Sequence, residues 1–161
     1  MNKTWSNTLL VAYSHLPKIE KAIDFGVENL VNSGFRGVHF SNGVSNEQLY
    51  QKILELIDEK RKIVNVCYLV DSGLNTLKDN HRLLLELRYV YQKTIQEIST
   101  THGIPMRTLY RKLEDALTRF QIEISRMGFD EEFLEKEYSS SPFISKIHNA
   151  VDTEKFNTAY K

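Results

Sequence analysis

Apolar positions recur at helical spacing along most of the chain, so the fold class expected is all-α. Residues 5–32 (WSNTLLVAYSHLPKIEKAIDFGVENLVN) carry this pattern and predict a helix, interrupted or kinked near Pro17. SGFRGVHFSNG (33–43), with Gly34, Gly37 and Gly43, predicts a mobile connector. Its glycines lack both the strand-to-helix context and the spacing of a phosphate cradle. A long helix should start next, at a capping box formed by Ser45 and Gln48, with Val44 and Leu49 as a hydrophobic staple across it.

Along that long helix Leu49, Ile53, Leu56, Lys60, Ile63, Cys67, Val70, Leu74 and Leu77 step alternately by four and three, a heptad seam broken at Lys60. Two arrangements satisfy it. The seam can pack along the N-terminal helix as an antiparallel hairpin, or it can pair two copies into a homodimer with two reading heads. Leu54, Ile57, Val64, Val66 and Leu69 widen the apolar face beyond what a two-stranded seam needs. That width favours intramolecular packing.

The pattern changes after Gly73 and the Lys78-Asp79-Asn80 turn, where Asp79 or Asn80 is a plausible cap. His81 to Phe120 reads as a scaffold helix, a short capped helix, a glycine turn and a longer helix with basic and polar residues at its start. Thr94 and Glu97 form a second capping box, starting a helix that runs to about Thr101. Gly103 supplies the left-handed residue that ends it, and Pro105 opens the next. Leu109, Leu113, Ala116, Leu117 and Phe120 define a buried face against which Ile95, Ile98 and Ile104 would pack. Ser99 is small where the two helices cross. This is the grammar of a helix-turn-helix, whose last helix enters the DNA major groove.

Its reading face would carry Met106, Arg107, Thr108, Tyr110, Arg111 and Lys112, with Thr94 and His102 as further DNA contacts. Arginine matches guanine through two parallel hydrogen bonds, and lysine meets phosphate as a point charge. Charge distribution agrees with this placement although the net charge is zero. Residues 81–127 hold eight Lys/Arg against five Asp/Glu, whereas residues 128–161 hold four against seven. The basic balance thus falls on the reading unit and the acidic balance on the tail, so a local patch with a shallow salt slope is expected.

Leu83 to Leu117 resembles region four of the bacterial sigma-70 family, the part that reads the promoter −35 element. The resemblance is carried by LLLELRYVY (83–91), TIQEI (94–98), GIPMRTLYRKL (103–113) and EDAL (114–117). Two departures flank the turn. Ser99 stands where the family has alanine, and Pro105 where it has a capping serine or threonine, with loss of one cap hydrogen bond. GIPMRTLYR also resembles the helix-turn-helix of serine recombinases. No segment resembles the region-two module with which sigma factors melt promoters and grip polymerase. The resemblance therefore implies half of a split factor, or a regulator that contacts RNA polymerase or a sigma subunit.

Beyond the head, Met127-Gly128-Phe129 marks a stop, FDEEFLEKEY (129–138) a short acidic helix, and PFISKIHNAV (142–151) a last amphipathic helix with Pro142 in its first turn. Residues 152–161 are expected to fray. The tail has three candidate roles: docking on a partner protein, packing Phe129, Phe133, Leu134 and Phe143 onto the reading helix, or covering Arg107 and Arg111.

The resulting organisation is an N-terminal helical hairpin or long-helix scaffold (1–78), the helix-turn-helix head (79–127) and an acidic helical tail (128–161). Hydrophobic content of 41% and charged content of 26% are ordinary for a globular chain. The single cysteine, Cys67, excludes an internal disulfide framework and a multi-cysteine zinc site. LLVAY (9–13) is too short for a signal core or a membrane span, so a cytoplasmic protein is expected. His15, His39, His81, His102 and His148 are scattered outside any His-Glu-x-x-His frame, and no nucleophile elbow occurs. Neither catalysis, cofactor nor metal is expected. The function read from the sequence is a DNA-binding transcription regulator or sigma-factor-like protein. The alternative is a protein-interaction module that keeps the fold without reading DNA.

Overall fold

The computed structural model of the protein describes residues 4–35 and 45–159, with side chains through 34 in the first stretch and through 152 in the second. Every element in them is helical: α1 (Thr4–Phe35), α2 (Asn46–Thr76), α3 (Asp79–Leu85), α4 (Ile95–His102), α5 (Met106–Arg126), α6 (Glu131–Tyr138) and α7 (Pro142–Ala159). The fold is all-α with a helix-turn-helix head. The expected connector between α1 and α2 lies, except for residues 33–35 within α1, outside the described residues, as does Val44 of the expected staple.

α1 corrects the expected break. It runs unbroken through Pro17, although that residue has no amide to donate to the Tyr13 carbonyl. α2 starts as its capping box predicts. The Gln48 amide donates to Ser45 Oγ (3.2 Å), and the Ser45 amide to Gln48 Oε1 (3.1 Å). α3 starts differently from expectation: Asp79 is its first residue, and Lys78 occupies the cap position without a side-chain bond. An acidic residue in the first turn still complements the helix dipole.

The chain forms two compact units, one of residues 15–65 and one of residues 1–14 with 66–161. In the first unit, the second part of α1 and the first part of α2 lie antiparallel. Lys60 Nζ donates to Asp24 Oδ1 (2.6 Å) and lies 3.8 Å from Glu20. Gly26 faces Leu56, and a Cβ on Gly34 would stand 2.8 Å from Leu49 Cδ2. The heptad seam over these residues is therefore spent inside the chain. The wide buried face is corrected: Val66 and Leu69 are buried, but Leu54, Ile57 and Val64 are exposed.

In the second unit the start of α1 meets the tail. The Trp5 indole stacks on His148 (ring centroids 4.1 Å apart), its N–H donates to Glu135 Oε2 (3.1 Å), and Tyr138 is tilted beside it. The Tyr89 hydroxyl donates to Asn7 (2.9 Å) and the Tyr13 hydroxyl to Asp71 (2.7 Å). Gly73 of α2 lies against Phe120 of α5. Leu9, Leu10, Leu69, Val70, Phe120, Ile124 and Ile144 are buried in this unit.

Candidate nucleic-acid interface

The head is a three-helix unit in which α3 packs chiefly on α5, and α4 on both α5 and the end of α3. α3 does not stop at Leu85 but widens into a π-turn over Glu86–Val90, closed by the Tyr91 amide on the Glu86 carbonyl (2.9 Å). Gln92 follows with φ 53, the only non-glycine in the left-handed region among the described residues. Sequence pattern gave no sign of this widening, because a π-turn shifts the helical register by one residue without any residue type that demands it.

α4 begins at Thr94. Its Oγ1 accepts from the Glu97 amide (3.1 Å), and its own amide donates to Glu97 Oε2 (2.7 Å). The Thr94 amide first, and the Thr94 side chain second, hold the Glu97 carboxyl below the usual carboxylate range. The helix ends at Gly103, φ 62, whose amide reaches the Ser99 carbonyl. The turn is then tied twice more by Ser99, whose carbonyl accepts from the Ile104 amide (3.1 Å) and whose hydroxyl donates to the Ile104 carbonyl (2.6 Å). An alanine at 99 would supply only the first of these. Pro105 precedes α5 with φ −55 and ψ 137, and offers no side-chain cap.

α5 sorts its residues by face. Leu109, Leu113, Ala116 and Phe120 are buried, Leu117 half-buried, and Ile98 of α4 is buried against them with Ile95 and Ile104 half-buried. On the outer side Met106, Arg107, Tyr110, Arg111 and Lys112 are all exposed, within the first two turns. Thr108 is half-buried and lies between Arg111 and Lys112 around the helix. Thr94 lies on the preceding helix, exposed, with its hydroxyl oxygen engaged in the cap. His102 is exposed at the end of α4.

His102 and Lys112 meet elsewhere. Together with Asn80, His81, Leu83, Leu84, Leu87, Ile104 and Asp115 they line an open cleft of about 470 Å³. Its floor is leucine and isoleucine, and its rim carries the His81 Nε2 to Asp115 Oδ2 contact (3.0 Å). Sequence reasoning passed over Leu83, Leu87 and Asp115. The available signal was Leu83, third from the end of a leucine triplet that no single helix face can bury. A second hollow beside α4 is lined by Lys93, Gln96, Glu97, Thr100 and Thr101.

The tail sits at the far end of α5. Leu134 and Phe129 line a small gap with Trp5, Gln121 and Ile124. Ile124 is 17 residues from Arg107, roughly 25 Å along the helix axis. Of the expected apolar anchors Leu134 is buried, Phe129 and Phe143 half-buried, and Phe133 exposed, edge-on to Phe129 (5.2 Å).

Residues 73–121 match the family model for sigma-70, region 4. The match spans less than a third of the chain, and over that span the protein carries a sigma-70 region-4-like helix-turn-helix, a DNA-binding class of domain. No curated protein and no solved structure matches the chain. None of the helices, among the described residues, is long and apolar enough to cross a membrane.

Proposed function

We infer that the protein is a cytoplasmic transcription regulator or sigma-like factor that reads double-stranded DNA through the first two turns of α5. The observation that carries this reading is the sorting of α5: its apolar side is buried in the head while Met106, Arg107, Tyr110, Arg111 and Lys112 stand exposed together at its N-terminus. Side chains there are the ones a recognition helix brings to base edges. Arg107 and Arg111 are one turn apart and supply forked donors for guanine. Lys112, His102, Thr94 and the polar edge of α4 suit phosphates, which position the head without reading sequence. The role is binding and positioning, not catalysis.

A second reading has its own support. The leucine-floored cleft lined in part by His102 and Lys112 offers an apolar surface on the head, which suits a segment of RNA polymerase or a sigma subunit. The two surfaces share His102 and Lys112. If the cleft alone is used, the protein is an interaction module that keeps the fold.

The test is fluorescence-anisotropy binding to a random pool of short duplexes across a salt series, with Arg107→Ala/Arg111→Ala beside wild type. Binding that weakens with salt and collapses in the double variant supports DNA reading. Salt-insensitive binding, or none by a folded protein, moves the function to the protein-interaction reading.

A further inference from the structure

The outer side of α2 carries a second heptad row, distinct from the seam that meets α1. Tyr50, Leu54, Ile57, Arg61 and Val64 step by four, three, four and three. Tyr50 is 68% exposed, Leu54 59%, Ile57 52% and Val64 49%. A solvated helix face ordinarily alternates polar residues at such spacing. Here four of five positions are apolar, and the fifth is an arginine whose stem can cover apolar surface.

We propose that this row is a homodimer interface, occupied by α2 of a second copy running antiparallel. The pattern is self-complementary about a two-fold axis level with residue 59, as an isologous contact requires. That axis sets Leu54 opposite the partner subunit's Val64 and Ile57 opposite the stem of the partner subunit's Arg61. Charge agrees with it. Asp58 pairs with Arg61 in its own chain at 3.1 Å, and the axis brings the partner's Arg61 beside the same carboxylate. Two aspartates and two arginines then alternate around the axis, with no like charges adjacent. At these exposures the four apolar side chains present roughly 500 Å² per copy, so pairing removes at most about 1,000 Å², the threshold of a specific interface. A moderate, concentration-dependent dimer follows. It would carry two heads and favour DNA with a repeated site, but the surface is independent of whether the head reads DNA.

The experiment is sedimentation equilibrium of the full chain from low to high micromolar, with no DNA present. Wild type should approach twice the 18.8 kDa chain mass. Leu54→Glu/Ile57→Glu should stay at the single-chain mass with an unchanged helical circular dichroism spectrum, since both side chains are exposed. The register is checked with Leu54→Cys and Val64→Cys chains, each in a Cys67→Ser background. Mixed under mild oxidation, they should form a disulfide-linked pair more readily than either alone. Wild type that remains a monomer throughout overturns the proposal. So does a dimer that the two glutamates leave intact, because it must use another face.

Discussion

Gly73 and Phe120 are in direct contact: a Cβ built on Gly73 would stand 2.7 Å from Cε2 of the Phe120 ring, and 3.3 Å from Ile124 Cγ1. The ring is fully buried and has nowhere to retreat. Helix propensity alone would favour alanine at 73 by about 0.5–1 kcal/mol. Overpacking a closed core costs about 1–3 kcal/mol, so the steric effect should win. Gly73→Ala is expected to lower the unfolding temperature by several degrees. In Phe120→Leu, where the ring is gone, the same change should be nearly neutral. Thermal denaturation of the two single variants and the double variant measures the coupling, and additive effects would contradict the contact.

Ser99→Ala removes the hydroxyl that donates to the Ile104 carbonyl at 2.6 Å. One such bond contributes about 0.5–1.5 kcal/mol. Pro105 gives α5 no side-chain cap, so without this hydroxyl the turn between α4 and α5 keeps only the backbone bonds from the Gly103 and Ile104 amides to the Ser99 carbonyl. Chemical denaturation should show a loss in that range, and hydrogen exchange should quicken at the Ile104 amide. A variant as stable as wild type would show the hydroxyl to be dispensable.

The Thr94–Glu97 capping box makes a prediction about acid. The Glu97 carboxyl is held below its ordinary value by the Thr94 amide and hydroxyl. Its contribution is therefore full above the unfolded carboxylate range and is lost as pH falls through the lowered folded value. Helix α4 should lose protection before the rest of the head as pH falls below the ordinary carboxylate range. Thr94→Ala should remove about 1 kcal/mol at neutral pH and flatten that part of the acid profile. Stability against pH, read by urea unfolding for both proteins, checks this.

At the alkaline end the relevant pair is Tyr13 and Asp71. The hydrogen bond to the Asp71 carboxylate, with burial second, pushes the Tyr13 hydroxyl up from 10.0 to about 12. A folded value above the unfolded one means the contribution is complete below about pH 10 and is lost as pH rises from there towards 12. Tyr13→Phe should be less stable at neutral pH and should lose less between pH 10 and 12 than wild type. Equal slopes in that window would show that the bond does not form in solution.

Gln92 supplies a test of the π-turn. Its φ of 53 is left-handed, a conformation that costs a side-chain-bearing residue roughly 1–2 kcal/mol and glycine little. Gln92→Gly should be neutral or stabilising, whereas glycine at Tyr91, with φ −85, should destabilise. Equilibrium unfolding of the two variants separates the cases.

Local chemistry made much of the head legible. Ser45 with Gln48 and Thr94 with Glu97 close their boxes over four residues, and Gly103 ends α4 because a single backbone conformation is needed there. Leu109, Leu113, Ala116 and Phe120 fall on one side of α5 by helical geometry alone, which leaves Arg107 and Arg111 outside. Such features depend on neighbours within about one turn, so the sequence specifies them directly.

What it left open depends on which surfaces meet. The row Leu54, Ile57 and Val64 has the same period as the seam Leu49, Ile53 and Leu56, and periodicity cannot say which one α1 covers. Only tertiary packing made that choice. The same holds for Trp5 stacking on His148, 143 residues away in sequence, and for the cleft that gathers Leu83, His102 and Lys112 from three helices. By itself the sequence determined where α2 and α4 begin, where α4 ends and which side of α5 is polar, because those follow from bonds and rotations within one helix. The faces that became core, and those left exposed, were decided by long-range contacts, for which several apolar faces of one chain compete.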